Sequence, residues 1–151
     1  MRAVVQRVRS ADVRVSGDIV GEIGIGLVVL LGVADVDMEA DAVAVARKIG
    51  SLRVFSDEGG RMNLGVSDVG GSVLLVSQFT LLADVRKGRR PSFTAAAAGD
   101  EADQLIEIVA THLRDSGLEV ATGEFGAHME VALVNDGPVT IIIETEGGSI
   151  Q

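Results

Sequence analysis

Hydrophobic and polar positions alternate through Met1 to Val15, where Val4, Val8, Val13 and Val15 are set among Gln6, Arg7, Arg9 and Arg14. A period of two sends successive side chains to opposite faces, so this segment predicts one half-buried strand or two. Ser16-Gly17-Asp18 reads as a tight turn into Ile19 to Ile23, completing a hairpin. The pattern then becomes continuous at Leu27-Val28-Val29-Leu30-Leu31, as expected of a central strand covered on both sides. Gly24 and Gly26 precede it without a phosphate-loop spacing and read as bend or bulge positions in a curved sheet. From Asp35 or Asp37, either a good N-cap, to about Ser51 the period changes to that of a helix, with Ala42, Val45, Ala46 and Ile49 on one face. Leu52 to Phe55 reads as a short strand, and the glycine-rich stretch Ser56 to Gly71 as a loop or hairpin.

Ser72 to Val76 is a second buried strand, and the chain is organised around its end. There the apolar run gives way to Ser77-Gln78-Phe79-Thr80, which sets two hydroxyls, an amide and an aromatic ring at a strand terminus. Ala83 to Pro91 is a basic loop. A second helix is expected from Gly99 or Asp100 to Gly117, burying Ala102, Leu105, Ile106, Val109 and Leu113. Strands follow at Leu118 to Ala121, Met129 to Val134 and Val139 to Glu144, the last two joined through Asn135-Asp136-Gly137-Pro138. The whole predicts a single α+β domain over residues 1–145, a curved, barrel-like sheet with two amphipathic helices, and a polar tail at 146–151. The two unusual stretches, Ser77 to Thr80 and Asn135 to Thr140, are expected to meet in one site.

Composition narrows the chemistry. The chain has no cysteine, which removes thiol nucleophiles, disulfides and thiolate zinc sites, and two histidines leave little for a metal. No metal or cofactor is expected. The longest apolar run, Ile23 to Ala34, is too short to span a membrane. Met1-Arg2 leads into strand-like sequence without a signal-peptide core, so the expected compartment is the cytoplasm. A net charge of −9 argues against DNA and other non-specific nucleic-acid partners. The charge is uneven, however. With Arg86, Lys87, Arg89 and Arg90 set aside, the 13 lysines and arginines fall to 9 against 22 acids, so a basic island sits on an acidic molecule. Such an island suits one or two phosphates.

The candidate hydroxyls lack conventional helpers. Ser77 and Thr80 need a base, yet His112 falls on the second helix and His128 in a turn near the final strands. Ser77 also lacks the flanking glycines of a nucleophile elbow. Asn135 to Pro138 is good turn composition, and its X-Pro bond admits the cis form at small cost.

The pair Ser77-Gln78-Phe79-Thr80-Leu81 and Asn135-Asp136-Gly137-Pro138-Val139-Thr140 resembles the two signature motifs of the D-aminoacyl-tRNA deacylases, also called D-tyrosyl-tRNA deacylases. The likeness extends through Met1 to Val8, Arg61 to Leu64, Asp68 to Gly71, Arg90 to Phe93, and Phe125 to Ala127 leading to Met129. Two local departures are the absence of a proline near Ala96 to Gly99 and His128 in place of an acid.

The resemblance implies a homodimer that hydrolyses the ester between a D-amino acid and the 3′-terminal adenosine of tRNA. It implies a cis Gly137-Pro138 bond that reaches into the site of the other subunit and rejects L-residues by their side chains. Glycyl-tRNA, with no side chain to reject, is then expected to be cleaved. Ser77 and Gln78 would bind the adenosine end, Phe79 would pack on it, and Thr80 would orient substrate or water. The backbone amides of Gln78 and Phe79 are expected to form an oxyanion hole, with the ribose 2′-hydroxyl activating water; Thr80 as nucleophile is the rival route. Gly137, Pro138, Asn135, Thr140, Met129 and Arg7 complete the expected substrate-binding set, and Arg86, Lys87, Arg89 and Arg90 the tRNA contact. A non-catalytic dimeric module that clasps an amino acid or nucleotide is the alternative, since no acid–base pair is recognisable.

Overall fold

The sheet is assembled on β1 (Arg2–Val15), a single strand and not two. Its first half pairs antiparallel with β3 (Gly26–Gly32), Arg2 opposite Gly32 and Val8 opposite Gly26. Its second half exchanges that neighbour for β2 (Asp18–Ile23), the hairpin partner expected across Ser16-Gly17. Along its other edge runs β8 (Glu130–Glu146). On the far side of β3 lie β6 (Ser72–Ser77) and β7 (Val120–Thr122), both parallel, and with β9 (Ser149–Ile150) at the far edge the order is β7-β6-β3-β1-β8-β9 with β2 off β1. The sheet curls until β2 lies against β6 and β7. A single-domain α+β fold with a half-barrel sheet results, and all 151 residues are described in this computed structural model.

Two apolar layers hold this curl. One face of the sheet, with Ala3, Val5, Leu27, Val29, Leu31, Val73 and Leu75, packs on α1 (Glu39–Ser51) and α2 (Gly99–Asp115). The helices contribute the predicted Ala42, Val45, Ala46 and Ile49, and Ala102, Val109 and Leu113, with Ala110 in addition. Each fully buried Val or Leu is worth roughly 1.5–3 kcal/mol. Inside the curl, Val8, Ala11, Val13, Ile23, Val28, Leu74 and Val76 form a second cluster. Gly26 is dictated by close approach: a Cβ there would lie 1.9 Å from the Ser72 carbonyl oxygen of β6. Near the start of β1 the same inner face is open. Val4 faces Leu30 and Ile142 in register, and Ile142 is 66% exposed.

Several boundaries differ from the sequence expectation. α1 starts after Met38, because Asp37 accepts from the Met1 ammonium at 2.6 Å and from the Ala34 amide at 2.6 Å instead of capping a helix. Leu52 to Val54 is not extended in a sheet; a two-residue β4 (Phe55–Ser56) pairs with β5 (Met62–Leu64) as a separate hairpin. On α2, Leu105 and Ile106 are half-buried. Asn135 to Pro138 does not join two strands. It lies within β8, where Gln6 faces Thr140 while Val8 faces Asn135, so the intervening residues of β8 bulge from the ladder. The residues read as a tail join the sheet, with β9 (Ser149–Ile150) paired back on Thr145 and Glu146. No helix is long and apolar enough to cross a membrane.

Candidate active site

β6 ends at Ser77, and the chain turns at once into a 3-10 turn, Phe79–Leu82. Gln78 is fixed between them by its amide, which donates to the Leu31 carbonyl of β3 at 2.8 Å. That bond corrects the expected oxyanion hole, since the Gln78 N–H is already committed. The free donors are shifted by one residue. The amides of Phe79 and Thr80 open the turn, where no preceding helical carbonyl exists to receive them, and neither has an acceptor in the chain. The Gln78 side-chain amide donates to Thr80 Oγ1, which orients both side chains. Phe79 is 58% exposed and meets Phe93 edge-on, ring centroids 5.1 Å apart.

A cavity of about 310 Å³ opens beside this turn, lined by Leu31, Ser77, Gln78, Phe79, Ile106 and Phe125 among others. The sequence reading missed most of its far wall. Ile106, expected on the buried face of α2, is half-buried and faces this space. Val33, Ala97, Gly99, Ala102 and Gly126 complete the lining, and the small size of the alanines and glycines leaves the volume open. The clustering of small residues at 95–99 was the available signal.

The second motif is built differently. Arg7, half-buried on β1, donates through Nε to the Asp136 carbonyl at 2.9 Å, lies 3.2 Å from its carboxylate, and donates to the Val54 carbonyl at 2.5 Å. The Phe55 ring lies 6.0 Å beneath the guanidinium. Asn135 Nδ2 donates to the Arg7 carbonyl at 2.8 Å and to the Val139 carbonyl at 3.3 Å, closing the bulge on itself. The Asn135 amide nitrogen therefore braces the bulge. Position 137 must be glycine, because a Cβ would lie 2.7 Å from both Asn135 Oδ1 and the Val139 nitrogen. The Gly137-Pro138 bond is cis, and both residues are exposed. Thr140 accepts from Gln6 Nε2 at 3.2 Å.

These two stretches do not meet within one chain. Ser77 is level with Leu31 of β3, Leu31 with Ala3 of β1, and Ala3 with Ile143 of β8. The bulge is thus three strands across, about 14 Å at 4.8 Å per strand, and further displaced along β8. Met129 is also outside the cavity: it packs on the other side of β6 against Gly123 and Val76.

No histidine helps the hydroxyls. His112 shares its Nδ1 with the Ile108 carbonyl at 3.1 Å on α2, and His128 is exposed without a hydrogen-bond partner. In the basic loop, the Asp84 and Ser92 backbones bond reciprocally, making a small hairpin with Arg86 to Arg90 at its tip. Arg86 folds back on Asp84, with N–O distances of 2.9 and 2.7 Å, and the hydrogen bonds from its side chain hold the Asp84 carboxyl below its usual range. Lys87, Arg89 and Arg90 are exposed and unpaired.

The sequence profile of the D-Tyr-tRNA(Tyr) deacylase family matches residues 4–144, which spans both motifs. The chain belongs to this family. It is 61% identical over 148 residues to a D-aminoacyl-tRNA deacylase of Heliobacterium modesticaldum, covering 98% of this chain and 99% of that one. It is 57% identical over 145 residues to a D-aminoacyl-tRNA deacylase of Chloroflexus aurantiacus, covering 96% and 91%. Among solved structures it is similar to one described as a c-Myc DNA Unwinding Element Binding Protein, with a TM-score of 0.90 and 41% identity over 97% of this chain and 100% of the other. A probable eukaryotic D-amino acid tRNA deacylase shares the fold at a TM-score of 0.80 and 16% identity, covering 93% and 97%. As a deacylase-family member the chain is a hydrolase.

Proposed function

We propose that this chain hydrolyses the ester of D-aminoacyl-tRNA, releasing D-amino acid and tRNA, and that it does so as a homodimer with Gly137-Pro138 of one copy facing Ser77 to Thr80 of the other. The observation that carries this reading is the separation of the two motifs. The two lie apart on one chain, and the open face between them, with Val4, Leu30 and the exposed Ile142, offers an apolar area for a second copy. Assembly would complete the site and cover that face together.

In the mechanism, the terminal adenosine enters the cavity beside Ser77, Gln78 and Phe79, leaving the ester carbonyl at the mouth of the turn. The Phe79 and Thr80 amides receive the oxyanion as water adds to the carbonyl carbon. The ribose 2′-hydroxyl assists deprotonation of that water. Collapse breaks the bond to the ribose 3′-oxygen, which leaves with a proton, and the free amino acid departs. Backbone carbonyls of the partner's Gly137-Pro138 loop hold the substrate amino group and set its Cα so that an L-side chain strikes the loop. Arg7 and Asn135 keep that loop in place. Lys87, Arg89 and Arg90 meet acceptor-stem phosphates, a contact read by a steep fall in affinity with salt; a flat salt profile contradicts it.

Mixed dimers test the arrangement. One variant disabled at Phe79 and another disabled at Gly137 are each inactive alone. Combined, a cross-subunit site restores one intact site per mixed dimer. If the mixture stays inactive while mixed dimers form, the cross-subunit reading fails.

A further inference from the structure

The 3-10 turn that carries Phe79 and Thr80 has no buried residue of its own. Its internal bonds are short-range, Leu81 N–H to the Gln78 carbonyl at 3.2 Å and Ala83 N–H to the Thr80 carbonyl at 3.1 Å. It rests directly on β3: a Cβ on Gly32 would lie 2.4 Å from Leu82 Cδ2 and 2.9 Å from the Gln78 carbonyl oxygen. One side chain outside the segment bonds to its backbone. Arg2, which stands opposite Gly32 on β1, donates through Nη1 to the Leu81 carbonyl at 2.8 Å. The same guanidinium donates through Nε to Glu144 at 2.6 Å, its neighbour across the β1–β8 ladder.

We propose that Arg2, held in orientation by Glu144, is a positioning residue for the reaction: its bond to the Leu81 carbonyl fixes the turn so that the Phe79 ring and the Phe79 and Thr80 amides keep their aim. The two side chains are 43% and 44% exposed, so as a surface ion pair they add little to global stability. The directional bond to Leu81 is a different matter. Leu81 lies near the end of the turn, where carbonyls lack a following helical amide, and a planar guanidinium serves this carbonyl and the carboxylate at once, which a lysine ammonium on a flexible stem does less well. Glu144 also belongs to β8, the strand that bears Gly137 and Pro138. Arg2 therefore links the strand of one half-site to the turn of the other within the same subunit. The inference rests on the assignment of residues 77–80 to the site.

The test uses Arg2→Met, which keeps the apolar stem, with Arg2→Lys and Glu144→Gln beside it. Turnover of D-tyrosyl-tRNA and thermal stability are measured for each. The chain's four phenylalanines, and its lack of tryptophan and tyrosine, also allow a local signal: fluorophenylalanine-labelled protein gives one fluorine resonance per ring. Arg2→Met is expected to lower kcat about tenfold or more, as for loss of a charge-assisted hydrogen bond. KM and melting temperature stay near wild type, and the Phe79 resonance moves while that of Phe55 does not. Arg2→Lys recovers part of kcat, and Glu144→Gln gives a smaller loss. Wild-type kcat in Arg2→Met overturns the proposal, as does a loss that merely tracks melting temperature or an unmoved Phe79 resonance. Phe79→Ala separates the failures: if it too turns over normally, the site assignment is wrong, whereas if it is inactive and Arg2→Met is not, only the role of Arg2 is wrong.

Discussion

The Arg7 guanidinium holds Asp136 at two points, its backbone carbonyl at 2.9 Å and its carboxylate at 3.2 Å, and thereby anchors the residue just before Gly137. Arg9 reaches the same carboxylate only at 3.5 Å from an exposed position, so it is no substitute. Replacing Arg7 by Met removes charge-assisted bonds worth about 1.5–3 kcal/mol each. The expected result is a fall in turnover of about tenfold to a hundredfold together with increased cleavage of L-aminoacyl-tRNA relative to D. Measuring both rates on the same preparation checks it; unchanged discrimination would separate Arg7 from the chiral filter.

Thr80 is placed by Gln78 and has no base near it, which argues against a covalent route. Thr80→Ala is expected to retain turnover within a few-fold of wild type, because its backbone amide, the part assigned to the oxyanion, is unaltered. Substrate ending in 2′-deoxyadenosine should be cleaved far more slowly. A dead Thr80→Ala variant, together with unimpaired wild-type cleavage of the deoxy substrate, would reverse both roles.

Rejection by steric conflict leaves glycine unopposed. Glycyl-tRNA is therefore expected to be hydrolysed at sufficient enzyme concentration, detected as release of labelled glycine. Complete resistance under conditions that clear D-tyrosyl-tRNA would show that the site selects a D-side chain instead of excluding an L-one.

A separate prediction concerns folding in acid. Asp41 is 1% exposed at the start of α1. Burial pushes its carboxyl upward, but hydrogen bonds from the Gly148 and Met38 amides outweigh this and hold it below the usual carboxylate range. A lowered folded value means the contribution is complete above the unfolded value of about 3.9 and is lost as pH falls through the folded one. Asp41→Asn should therefore lower stability by about 1–3 kcal/mol at neutral pH, and the gap from wild type should close below pH ~3.9. Denaturant titrations across that range test the sign; a gap that widens in acid would contradict it.

Much of this architecture was legible because period and burial coincide. Val28, Leu74 and Val76 lie in runs whose length and composition mark strands covered on both sides, and Ala42 to Ile49 keeps one helical face. Long-range demands were not legible. Asp37 looks like a cap until the Met1 ammonium is folded beside it, and Asn135 to Pro138 looks like a turn until β1 is seen running past it on both sides. The cavity beside Phe79 was hidden for a related reason: alanine and glycine leave no periodic mark, yet their lack of bulk creates the space. Local sequence singled out the polar strand end Ser77 to Thr80, but that the Gln78 amide is bonded while those of Phe79 and Thr80 are free depends on a strand 47 residues earlier in the chain.

The proposed reaction and its chiral filter are tested together by incubating the purified protein, at catalytic concentration, with D-tyrosyl-tRNA and L-tyrosyl-tRNA in parallel and following release of tyrosine. Multiple turnovers are expected on the D-ester and none above background on the L-ester. Equal cleavage of the two would contradict the role given to Gly137-Pro138, and stoichiometric binding without cleavage of either would contradict the proposed reaction itself.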